Sequence, residues 1–105
     1  MSTPGSAVRN SGGGFAAVTD GEIVEGMELL AKTEGIFAET AGGVTIATLQ
    51  KLAADGVIRA DERVVVYITG HGLKTIEAVA PTSGPTATIA PSLDAFHAAF
   101  DIEEA

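Results

Sequence analysis

Apolar residues in the first half of the chain recur at helical spacing. Ile23, Met27 and Leu30, flanked by Val24 and Ala31, fall on one stripe, while Glu28 and Lys32 lie one turn apart on the opposite, wet side. Thr19 and Glu22 have the T-x-x-E spacing of a capping box, in which each side chain satisfies an orphan backbone N–H, and Gly35 supplies a left-handed stop. The pattern predicts a helix over about 20–33. Ile36-Phe37-Ala38 then reads as a short strand and Thr40-Ala41-Gly42-Gly43 as a turn of small residues. Ile46, Leu49, Leu52 and Ala53 form the apolar face of a second helix ended by Gly56.

The next segment, Val64-Val65-Val66-Tyr67-Ile68, is apolar at every position and β-branched at four of five. Such a strand expects cover on both faces, the habit of a parallel sheet, and neighbours that this chain barely supplies. Strand, helix, strand in this order is a βαβ unit. The expected fold class is therefore α/β, a partial Rossmann-like three-layer fragment with a short parallel sheet flanked by helices. A short helical turn follows Gly72, then a linker over Pro81-Thr82-Ser83-Gly84-Pro85, an edge-strand candidate at Thr86 to Ile89, and a last helix capped by Ser92 with Leu93, Phe96 and Phe100 on its face. The tail from Asp101 to Ala105 is expected to fray. Pro4, Gly5 and the Ser11-Gly12-Gly13-Gly14 run make residues 1–14 an irregular, flexible arm, leaving 15–105 as a single α/β domain.

Composition narrows the partners. The chain has 105 residues, six Lys and Arg against 14 Asp and Glu, a net charge of -8 and no cysteine. One small domain fits that length. Six dispersed cations do not make the clustered basic surface that nucleic acid requires. Without cysteine there is neither a disulfide framework nor a thiolate zinc site, and the expected compartment is the cytoplasm. The leader Met1-Ser2-Thr3-Pro4-Gly5 lacks a basic start and an apolar core, and no apolar run approaches the roughly 20 residues of a membrane span. A soluble protein is expected.

Ligands of open α/β sheets sit beyond the carboxyl ends of the strands, which singles out Glu39-Thr40-Ala41-Gly42-Gly43 and Thr69-Gly70-His71-Gly72-Leu73-Lys74. Glycines there let backbone N–H groups approach a ligand, and each stretch opens a helix whose N-terminus favours an anion. The Thr69 hydroxyl, where the strand gives out, can donate to or accept from a ring nitrogen or a carboxylate. Each feature also has a plain structural meaning. A G-x-G after a strand makes a tight turn, Glu39 caps a helix from solvent, and His71 is a turn residue tolerating positive φ. His97 shares the stripe of Leu93, Phe96 and Phe100 as a half-buried packing residue. Neither histidine has a partner at metal-site spacing, and Ser11 has no histidine or acid at the spacing of a known nucleophile motif.

Three stretches carry a more specific signal: Ser11-Gly12-Gly13, then Gly35-Ile36-Phe37-Ala38-Glu39-Thr40-Ala41-Gly42-Gly43-Val44-Thr45, then Val64-Val65-Val66-Tyr67-Ile68-Thr69-Gly70-His71-Gly72-Leu73-Lys74. Together with the later Ile89-Ala90-Pro91-Ser92-Leu93, they resemble the C-terminal part of threonine synthase, a fold-type II pyridoxal phosphate enzyme, in order from about residue 7 to about residue 100. The resemblance implies that Thr69 hydrogen-bonds the pyridine nitrogen of the cofactor, as a neutral hydroxyl that does not hold that nitrogen protonated. It also implies that Gly70 and His71 line the cofactor and that Glu39 lies near its ring. Family members carry Asn or His at the position of His71.

The departure from the family is an absence. The Schiff-base lysine and the glycine-rich phosphate loop belong to the family's upstream portion, and the lysines here are Lys32, Lys51 and Lys74. Lys32 is on the wet face of the first helix, Lys51 is mid-helix, and Lys74 sits in the family's loop without the Schiff-base role. The expected function is thus the C-terminal portion of an enzyme that converts O-phosphohomoserine, a small anionic amino acid, into threonine and phosphate. The portion is expected to be inactive alone, to bind pyridoxal phosphate weakly or not at all without the rest, and to pair with an N-terminal half or with further copies of itself. The alternative is a non-catalytic α/β binding or interaction module derived from that family.

Overall fold

Thr19 and Glu22 start the first long helix as their spacing requires. In the computed structural model, which describes residues 3–100, the Glu22 N–H donates to Thr19 Oγ1 (3.2 Å) and the Thr19 N–H donates to Glu22 Oε1 (2.9 Å). The helix they open, α2, runs over Asp20–Glu34 and stops at Gly35, whose φ of 67° is the left-handed stop expected of it. Before it, α1 occupies Pro4–Asn10, within the arm expected to be irregular. Thr3 caps it by accepting from the Ser6 N–H, and Pro4 stands in the first turn, where a missing N–H costs nothing. A local cap outweighed the single glycine at position 5.

The following helix, α3, spans Thr40–Ala54, so the small-residue stretch read as a turn is its first turn. Gly42 and Gly43 lie there because their neighbours leave no room for a side chain. A Cβ on Gly42 would fall 2.5 Å from the Ala38 Cβ, and one on Gly43 would run into the Ile23 carbonyl and the Met27 side chain. On the facing helix, a Cβ on Gly26 would stand 2.5 Å from the Gly43 carbonyl. The α2 and α3 backbones therefore cross at a glycine-on-glycine contact. Beside it lie the buried side chains Met27, Leu30, Ala38, Ile46 and Ala47, with Met27 2% exposed.

Lys51 closes the other end of this pair, its Nζ 2.9 Å from Glu22 Oε1 and donating to the Ala17 carbonyl at 2.6 Å. The Thr19 backbone N–H, then the Lys51 ammonium, hold the Glu22 carboxyl below the usual carboxylate range. A lowered pKa in the folded chain contributes stability that is present above the ordinary glutamate value and lost as pH falls through the lowered one. Glu22→Gln keeps the acceptor for Thr19 and loses the charge. Its helicity, followed by circular dichroism, is expected to fall less than that of the parent chain over that acid range.

The parallel sheet does not form. Among the described residues the only strand pairing is an isolated bridge, Ala38 with His71, and it is antiparallel: the Glu39 N–H donates to the Gly70 carbonyl (3.0 Å) and the Gly72 N–H to the Phe37 carbonyl (2.9 Å). Residues 63–69 take no regular secondary structure and make no ladder. Val66 and Ile68 pack against Leu30, Ala38 and Ile46, while Val65 and Tyr67 face outward, 76% and 79% exposed. An apolar β-branched run encodes extension and burial, yet a sheet needs neighbouring strands, and these residues provide one short contact. The fold is helical where an α/β layer structure was expected.

After the bridge, Gly72–Ala78 form a 3-10 turn kinked at Thr75, and α4 covers Leu93–Ala99 with the Ala95 N–H donating to Ser92 Oγ (3.1 Å). Thr86 to Ile89 is irregular and exposed rather than an edge strand. On the apolar face of α4, Phe96 lies 5.0 Å from Phe100 between centroids, and His97 is exposed rather than half-buried. The tail from Asp101 lies outside the described residues. The radius of gyration is 18.8 Å and the principal extents are 63 × 30 × 19 Å. A compact chain of this length has a radius of about 13 Å. No described helix is long and apolar enough to cross a membrane.

Candidate functional site

The Ala38–His71 bridge brings the two glycine-containing stretches side by side. Glu39 leaves the bridge as the N-cap residue of α3, and Thr69, Gly70 and His71 leave it on the other side. Gly70 matters sterically: a side chain there would run into the Glu39 carboxylate, which lies across it. Glu39 is half-buried, and Thr69 is exposed. The four sequence-derived candidates, Glu39, Thr69, Gly70 and His71, thus occupy one place.

His71 is held by its own turn. Its Nδ1 accepts from the Leu73 N–H at 3.1 Å, which puts the proton of the neutral ring on Nε2. Phe37 meets the imidazole edge-on, with centroids 5.7 Å apart and planes at 65°, and its ring fills the space that a Cβ on Gly72 would take. Phe37 had only an apolar strand position to mark it. Thr75 had no mark at all, yet its Oγ1 accepts from the Thr40 N–H at 3.2 Å.

That last contact corrects the expected anion site. Of the first N–H groups of α3, Thr40 donates to Thr75, and Gly42 and Gly43 donate to the Glu39 carbonyl at 2.9 and 3.3 Å. On the second stretch, Leu73 and Lys74 donate back to His71. At these helix starts the Ala41 N–H has no partner among the described residues, but the amides beside it are taken, so neither start presents the open row of amides that cradles a phosphate. The Thr69 hydroxyl is exposed, and the partnered amides around it offer no ready cradle for a phosphate. Lys51 is committed to Glu22 and Ala17, and no cluster of acidic or histidine side chains among the described residues could hold a metal ion.

The family profile described as pyridoxal-phosphate dependent enzyme matches residues 1–70. The threonine synthase of Methanocaldococcus jannaschii is 54% identical over 72 residues, covering 69% of this chain and 18% of that protein. That of Methanosarcina acetivorans is 40% identical over 94 residues, covering 90% of this chain and 23% of its own length, and that of Halalkalibacterium halodurans is 46% identical over 68 residues, 65% and 19%. The chain spans about a fifth of the length of the curated relatives it matches. With two thirds of its residues under one family profile, Glu39 and Ile68-Thr69-Gly70 among them, the chain belongs to the pyridoxal-phosphate dependent enzymes.

Proposed function

We propose that this chain is the C-terminal portion of a threonine synthase, a cytoplasmic enzyme that turns O-phosphohomoserine and water into threonine and phosphate, and that it supplies the cofactor-ring side of the active site. The observation that carries this is the convergence of Glu39 with an exposed Thr69 across the Ala38–His71 bridge. Pyridoxal phosphate, when bound, supplies the electron sink for carbanion chemistry. Thr69 hydrogen-bonds the ring nitrogen without holding it protonated, Gly70 keeps the approach free of a side chain, and Glu39 flanks the ring. The phosphate donors and the Schiff-base lysine come from the enzyme's upstream portion, the partner of this one. The extended shape and the outward Val65 and Tyr67 support a chain that works only against such a partner.

The test is reconstitution. This chain, mixed with the separately produced upstream part of the Methanocaldococcus jannaschii enzyme, is expected to release phosphate from O-phosphohomoserine with matching threonine, while neither piece does so alone. A mixture that forms no threonine and gains no cofactor absorbance sinks the proposal and leaves the non-catalytic binding module.

A further inference from the structure

Glu28 and Lys32, which the helical pattern puts on the wet side of α2, stand at the edge of a cleft. The cleft lies between α2, the 3-10 turn and residues 79–84, and has a volume of about 730 Å³. That is within the roughly 300–1,000 Å³ of small-molecule sites. Its walls are apolar, formed chiefly by Met27, Phe37, Ile76 and Val79, and its charged groups are Glu28 and Lys32 alone. An anion and a cation one helical turn apart usually pair with each other across solvent for a few tenths of a kcal/mol. Here they do not. Thr82 Oγ1 donates to Glu28 Oε1 at 2.6 Å and Ser83 Oγ donates to the same oxygen at 3.3 Å, tying the 79–84 segment back to α2. Among the described residues Glu28 Oε2 has no hydrogen-bond partner and Lys32 no ion pair.

We propose that this cleft binds a free apolar α-amino acid. A zwitterion carries its ammonium and carboxylate on one carbon, a spacing suited to two opposite charges one turn apart. Its ammonium meets Glu28 Oε2, its carboxylate meets Lys32, and its side chain enters the Met27, Phe37, Ile76 and Val79 pocket. The hydroxyls of Thr82 and Ser83 fix the Glu28 carboxylate in advance, which reduces the ordering that binding would otherwise require. None of these contacts uses Glu39 or Thr69, and the cleft shares with the proposed cofactor face only Phe37, which meets His71 edge-on.

Calorimetry on the whole chain with L-leucine tests this. Saturable binding is expected, weakened at least about tenfold for isocaproate, which lacks the ammonium, and for isoamylamine, which lacks the carboxylate. Glu28→Gln, which keeps its acceptor for Thr82 and Ser83, and Lys32→Gln are each expected to weaken leucine by a similar factor, with helicity unchanged by circular dichroism. The absence of saturable heat at millimolar leucine, or variants that bind leucine as tightly as the parent chain, overturns the proposal. So does loss of leucine binding when the upstream piece is added, which assigns the cleft to that interface; threonine formation in the same mixture is read separately.

Discussion

Gly43→Val lowers the unfolding free energy of the helix pair by about 3 kcal/mol or more, enough to unfold much of a domain with so small a core. The cause is local. A Cβ at position 43 meets the Ile23 carbonyl and the Met27 side chain, and the opposing Gly26 already brings α2 as close as backbone allows. Neither contact can give by rotating a surface side chain, because Met27 is the most deeply enclosed large residue of the core. The helices must separate, which uncovers Leu30, Ala38 and Ile46 as well. Urea titration followed by circular dichroism measures the loss. Gly12→Val, where a Cβ meets nothing within 4 Å, is the comparison, although its φ of 77° adds backbone strain without touching the crossing. If both variants unfold at the same urea concentration as the parent, the crossing is not where the stability lies.

Thr69→Val in the reconstituted assembly lowers kcat/KM for O-phosphohomoserine by about 10- to 100-fold, the range expected when a hydrogen bond in an enclosed site is lost and its partner left unsatisfied. Valine keeps the shape and removes the hydroxyl. Thr69→Ser restores the hydroxyl and is expected to recover activity to within about threefold, whereas a purely structural role would follow the lost methyl group instead. Because Thr69 is exposed in this chain, neither variant is expected to change its thermal unfolding. Equal activity of the valine and parent assemblies removes Thr69 from the site.

Elements with local punctuation were legible in the sequence. The capping box of Thr19 and Glu22 and the left-handed Gly35 marked α2 close to its observed bounds, and Ser92 marked the start of α4. Gly42 and Gly43 misled, since glycine inside a helix is unfavourable by about 1 kcal/mol relative to alanine. What offsets that penalty is the approach of α2, a contact between segments about 20 residues apart that no local pattern records. Val64 to Ile68 misled in the opposite way: its composition carried extension, but pairing depends on strands elsewhere, and the described residues contribute only the meeting of Ala38 with His71. The candidate site was readable as two stretches because glycines and a terminal threonine mark them. Thr75 was not, because a hydroxyl in a turn carries no sign that it will reach back to the start of α3.

The 18.8 Å radius of gyration bears on how association of this chain is judged in solution. By the scaling that relates size to length, such a radius belongs to a compact protein of about 280 residues. A gel-filtration column sorts by hydrodynamic size, so a monomer of 10.6 kDa will elute well ahead of globular standards of its own mass and mimic a dimer or larger species. Mass measured by light scattering, rather than elution volume, separates an elongated monomer from a true assembly.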